Sequence, residues 1–349
     1  WKVPTTMVEG DDVELTVRVA DKYSDTGLNV SGQIISALNV EVTRPNSKIL
    51  FQAQTATHQV FDDASGEKEL FDQGLYSPRW SPDGTKIAAI DTSNTQVVLA
   101  LPETGVVKVL HTGSGLSTPR WSPDGTKVAF VCQNDLCVET IDGSSSVQIT
   151  PSDGKEVYGG YNWSPDGQKL VYAETFTNIG DMRLWTANPD GTARTMITNR
   201  DSKFPVWAPV ENRILFLGDE PTGGNTAANI YSMNPDGTGE TLEVDNTGWG
   251  GYGWNTDTVL GLSSDRRFVS HNVQSAAAQG LIVKDRIGGQ VYNLTGTQAT
   301  SGQWGLWSPV DDKVISVDST TSSLMLSQPD GGGRVSLSTV PTWSADWTR

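Results

Sequence analysis

Trp80-Ser81-Pro82-Asp83-Gly84-Thr85-Lys86 recurs as Trp121-Ser122-Pro123-Asp124-Gly125-Thr126-Lys127 and again as Trp163-Ser164-Pro165-Asp166-Gly167-Gln168-Lys169. Weaker copies stand at Trp207-Ala208-Pro209, Trp254-Asn255-Thr256-Asp257, Trp307-Ser308-Pro309 and Trp343-Ser344-Ala345-Asp346. The tryptophans of the series are 41, 42, 44, 47, 53 and 36 residues apart. A period of about 40–45 residues with four strand-like runs is the signature of a propeller blade, a small sheet that buries its faces only against its neighbours.

The second copy shows how one blade reads. Thr118 to Ser122 is an innermost strand, A. Pro123-Asp124-Gly125 is a turn: Pro presets φ, Asp bonds nearby backbone, and Gly accepts positive φ. Lys127 to Val131 is strand B and Cys137 to Ile141 strand C. Asp142-Gly143-Ser144 is a hairpin turn, and Val147 to Thr150 is strand D. The same parse places C–D turns at Pro102–Gly105, Asn188–Gly191, Asn234–Gly237 and Gln328–Gly331. The repeated aspartates of these turns sit beside Pro or Gly, so they read as turn formers rather than calcium ligands.

Six complete blades start near residues 77, 118, 160, 204, 251 and 302. Upstream, Lys48–Ala53, His58–Phe61 and Lys68–Phe71 read as B, C and D without an A. Downstream, Thr342 to Thr348 reads as an A with nothing after it. The fragments complete each other. The fold expected is all-β: a seven-bladed β-propeller over 47–349, closed by a C-terminal strand, which removes open sheet edges. Residues 1–46 are left as an N-terminal β-rich extension. Val13–Val19 and Ile34–Val42 alternate as strands do. This arm is expected to brace its own ring or to pair with another subunit by strand addition.

The chain has 349 residues and a formal net charge of −16. So acidic a surface repels phosphate backbones, which argues against nucleic acid as a partner. No run of 18 apolar residues occurs, so no membrane span is expected. The sequence opens on Trp1 rather than Met, which suggests a processed chain and a removed export signal. Cys132-Gln133-Asn134-Asp135-Leu136-Cys137 would place two thiols across a hairpin turning at Asn134-Asp135, within reach of a disulfide or left as free thiols. Two cysteines without a nearby His are too few for a metal site.

The Trp-Ser-Pro-Asp-Gly repeat, followed each time by a short apolar strand, resembles the TolB-type propeller family over roughly residues 48–349. The resemblance implies four-stranded blades. It implies no single activity, because the repeat occurs in binding proteins, in protease-associated domains and in polysaccharide lyases.

For the working face, the loops between B and C and between D and the next A carry the richest chemistry, and rim loops are where function concentrates. Gly218–Asn225 and Asp265–Gly280 read as insertions. The D–A loops carry Tyr76, Tyr158, Tyr161, Phe204, Trp249, Tyr252 and Trp304. Exposed rings suit the C–H faces of sugars. Trp249, Tyr252, Trp304 and Tyr161, with Arg266, Arg267 and His271, form the expected ligand-binding set. Of the three histidines, His58 and His111 read as structural. His271 as base, Tyr252 or Tyr161 as acid and Arg266 against a uronate carboxylate would serve β-elimination. No Gly-x-Ser-x-Gly, His-Glu-x-x-His or phosphate loop occurs. The favoured expectation is a secreted, extracellular or periplasmic, non-catalytic module that binds a glycan or protein without cofactor or metal, with a metal-independent polysaccharide lyase as the alternative.

Overall fold

The computed structural model describes residues 14–19, 38–43, 47–53, 56–178, 181–208, 211–219, 228–245, 260–265, 267–274, 279–294, 305–309, 311–318, 321–338 and 340–348. The chain divides into two compact units, Trp1–Ser47 and Lys48–Arg349. In the first, Glu14–Val19 pairs antiparallel with Leu38–Thr43. The register sets Leu15 opposite Val42, Val17 opposite Val40 and Val19 opposite Leu38.

The second unit is a ring of seven four-stranded antiparallel sheets, a seven-bladed β-propeller. We number the blades from the closing one. Blade one takes its innermost strand, Thr342–Thr348, from the C-terminal end and its others from Lys48–Ala53, Ala56–Phe61 and Lys68–Phe71. The innermost strands of blades two to seven are Tyr76–Trp80, Arg120–Trp121, Val157–Trp163, Ser202–Ala208, Leu260–Leu262 and Gly305–Trp307. The split repeat thus closes the ring as its two fragments predict.

Each intact repeat builds the same A–B turn. Ser81 Oγ donates to Asp83 Oδ1 at 2.5 Å and accepts from Lys86 N at 2.9 Å, while Ser81 N donates to Lys86 O. Gly84 sits at φ 64°, which a side chain would resist. Ser122 and Ser164 repeat the pattern with Asp124 and Asp166.

The core lies between blades rather than within them. Seven clusters of buried apolar residues fill the seven seams. The residue at the repeat-tryptophan position plugs the seam to the blade before it: Trp80 packs with Leu50 of blade one, and Trp121 with Ala88 and Ile90 of blade two.

The register corrects three readings. In blade one the repeat position belongs to Trp347, opposite Ile49, as Trp80 is opposite Ile87; Trp343 lies four residues earlier on the strand. In blade six Leu262 takes the tryptophan's place, opposite Val269. Ser263 and Asp265 still make the turn, with Ser263 Oγ donating to Asp265 Oδ1 at 2.6 Å. The sequence there keeps the turn's hydroxyl and carboxylate and changes only the ring, whereas Trp254 lies outside the described residues. It follows that Asp265–Gly280 is no insertion: Asp265 to Arg267 is the A–B turn, and Phe268–Gln274 and Gln279–Asp285 are strands B and C. In blade three the hairpin turns at Gln133 and Asn134, at φ 51° and 75°, one residue before the expected pair. Cys132 and Cys137 flank it, joined by a disulfide.

Candidate functional site

The residue before each repeat tryptophan comes from an innermost strand at the channel wall. In blades one to four these residues are Asp346, Arg79, Arg120 and Asn162. All four line a cavity of about 490 Å³. Its walls are the tryptophans 80, 121, 163, 207 and 347, and its rim is formed by Ser81, Pro82, Pro123, Ser164 and Pro165. Those rim residues open the A–B turns, so the cavity is the channel mouth on the A–B side.

The wall rings are buried, from 5% exposed for Trp80 to 9% for Trp121. They serve as clamps between blades. Trp121 Nε1 donates to the Arg79 carbonyl at 3.0 Å and Trp163 Nε1 to that of Arg120 at 3.0 Å. Trp207 Nε1 donates to Asn212 Oδ1 at 2.9 Å. The indole N–H groups of Trp80 and Trp347 are buried with no acceptor.

Between blades one and two a different set of bonds takes over. Asp346 Oδ2 accepts from Trp80 N at 2.7 Å, and Arg79 Nη1 donates to the Ala345 carbonyl at 2.9 Å. Burial pushes the Asp346 carboxyl above the usual carboxylate range, and the charges of Arg79 and Arg120 pull the other way. Arg120 also lies over the Tyr161 ring, 5.7 Å from its centroid. The cavity is therefore a polar socket with two guanidiniums, one carboxylate and one amide, set in a frame of indoles and prolines.

The residues expected from sequence fall elsewhere. Trp249, Tyr252, Trp304 and Arg266 lie outside the described residues. Tyr161 is buried, and its hydroxyl donates to the Thr118 carbonyl, a strut between blades three and four. His271 sits in the second strand of blade six at 5% exposure, with neither ring nitrogen hydrogen-bonded. Burial lowers its pKa to about 4. Arg267 lies in the A–B turn of blade six, 2.7 Å from Asp285 Oδ2, with its guanidinium over Phe268. The structure does not bring Tyr161, His271 and Arg267 together. Arg79, Arg120, Asn162 and Asp346 are not in the expected set: the first three each precede a repeat tryptophan visible in the sequence, whereas Asp346 takes that position only through the register of Trp347 with Ile49.

Among the described residues no group of three or more His, Cys, Asp or Glu side chains is placed to hold a metal ion, and no helix is long and apolar enough to cross a membrane.

A family model described as TolB beta propeller domain matches residues 66–242, just over half of the chain. No curated protein matches the sequence. Among solved structures, TolB from Acinetobacter baumannii is 14% identical, with a TM-score of 0.52 over 86% of this chain and 66% of that one. An oligogalacturonate lyase from Vibrio parahaemolyticus is 12% identical, with a TM-score of 0.57 over 93% of this chain and 84% of the lyase. Puromycin hydrolase is 14% identical, with a TM-score of 0.63 over 83% of this chain and 51% of the hydrolase. At these identities the likeness is one of fold. The chain spans 66% of the length of that TolB and about half that of the hydrolase. Blades, turns and family match agree: the chain belongs to the TolB β-propeller domain family.

Proposed function

We propose that this propeller is a non-catalytic binding module that holds a protein partner at the channel mouth on the A–B side. The observation that carries the reading is the cavity of about 490 Å³ with Arg79, Arg120, Asn162 and Asp346 at its wall. A concave site with a few convergent polar groups is the usual form of a recognition pocket. A protein suits it better than a glycan, because the tryptophans that frame it are spent on the seams and leave no open ring face for a sugar to stack on. The lyase reading loses its base, since His271 is enclosed within blade six and away from solvent. The disulfide supports an oxidising compartment, hence an extracellular or periplasmic setting.

The test is a selection of displayed random peptides and a glycan array, each read against an Asn162→Trp variant in which a large ring fills the cavity. Peptides that bind the wild type and lose the variant are expected, with a silent array and no release of unsaturated uronates. Glycans retained in place of peptides would overturn the reading.

A further inference from the structure

We propose that the channel-mouth cavity seats a carboxylate of the partner, an acidic side chain or a chain end, between Arg79 and Arg120. This rests on the protein-binding reading above and gives it a chemistry.

The lining of the cavity carries more positive charge than negative. Arg79 and Arg120 bring two guanidiniums, and Asn162 a neutral amide with a donor and an acceptor end. Against them stands one carboxylate, Asp346, and its Oδ2 already accepts from the backbone N–H of Trp80. By formal charge the lining sets two guanidiniums against this one carboxylate, a surplus of one, within a chain of net −16. Two of the five wall indoles, Trp80 and Trp347, carry N–H groups with no acceptor, while Trp121, Trp163 and Trp207 are each bonded.

A single carboxylate answers that surplus. It carries one negative charge and only acceptors, and its planar fork matches a guanidinium. A phosphoryl group would bring close to two charges to a socket with one to neutralise. A uronate would bring the right charge on a sugar ring, but no open aromatic face supports that ring here. Elsewhere the acidic surface holds such a group off, so recognition is confined to the mouth.

The experiment uses the full chain and the peptides from the displayed selection, synthesised singly. Enriched sequences are expected to share an aspartate, a glutamate or a free C-terminus. Replacing that acid by its amide, or amidating the end, is expected to weaken binding at least tenfold, and the two exchanges tell side chain from chain end. Arg120→Gln is expected to cost a similar factor, Arg120→Lys to recover part of it, and added salt to weaken the wild-type complex. Should Arg120→Gln fail to fold, the amide exchange on the wild type decides alone. Peptides that bind equally well as amides overturn the carboxylate and leave the protein-binding reading standing. A selection that enriches no peptide overturns both, and tri-galacturonate bound in its place turns the site to sugars.

Discussion

Trp121 gives its indole N–H to the carbonyl of Arg79, 3.0 Å away across the seam of blades two and three. Trp80 occupies the same place one seam earlier and has no acceptor. The two rings are buried alike, so replacing each by Phe removes similar packing but only one hydrogen bond. Trp121→Phe is expected to cost about 1 kcal/mol more than Trp80→Phe, the net contribution of one hydrogen bond. Urea unfolding of the two variants checks this; equal losses would show that the bond across the seam contributes nothing.

Removal of residues 342–349 should do far more harm. Thr342–Thr348 bonds to Lys48–Ala53 along its length, and Ala345 and Trp347 belong to the core between blades seven and one. We expect the shortened chain to lose its single cooperative melt by circular dichroism and to aggregate through the bared strand. A melt matching that of the intact chain would contradict the closure.

His271 makes stability depend on pH. Folded, its pKa is about 4 against an ordinary value of 6.5. The unfolded chain thus takes up a proton that the folded chain refuses. Stability is greatest above pH 6.5 and falls as pH drops toward 4, by about 3 kcal/mol over the interval. His271→Phe should flatten that slope in urea titrations between pH 7 and 4.

Asp312 acts in the opposite sense. Burial and the neighbouring Asp265 and Asp311 push its carboxyl up to about 6 from 3.8, and its Oδ1 has no partner. A folded-state pKa raised in this way contributes stability below pH 3.8 that is lost as pH rises through 6. Asp312→Asn should leave the melting temperature near that of wild type at pH 4 and raise it at pH 7.5. A variant that melts lower at pH 7.5 would contradict this.

What could be read in advance follows how local the determinants are. The Ser81–Asp83 turn is written within seven residues, and its bonds are made by those same residues, so its copies count the blades. Blade six was misplaced because Leu262 fills the seam where a ring was sought, while the turn chemistry of Ser263 and Asp265 persisted. The charged socket was out of reach for a different reason. Arg79 meets Ala345 across a sequence separation of 266 residues, a contact created only by closing the ring. His271 looked like a loop residue because the blade-six register was set too early; in its true register it falls within a buried strand.

The pairing of Ile49 with Trp347 also orders events during synthesis. The strand that lies innermost in blade one is the last of the ring's strands to leave the ribosome. Until it does, Lys48–Ala53 has its place in the ring but no partner toward the channel. Blades two to seven can stack in turn as they emerge, each seam sealed by the side chain at the repeat position of the blade just made. The final joining of distant ends costs little more entropy than a shorter loop, because closure cost rises by only about 0.6 kcal/mol per doubling of length. The same step assembles the mouth: Asp346 arrives beside Arg79 and Arg120 on that last strand, so the socket exists only in a chain that has finished folding.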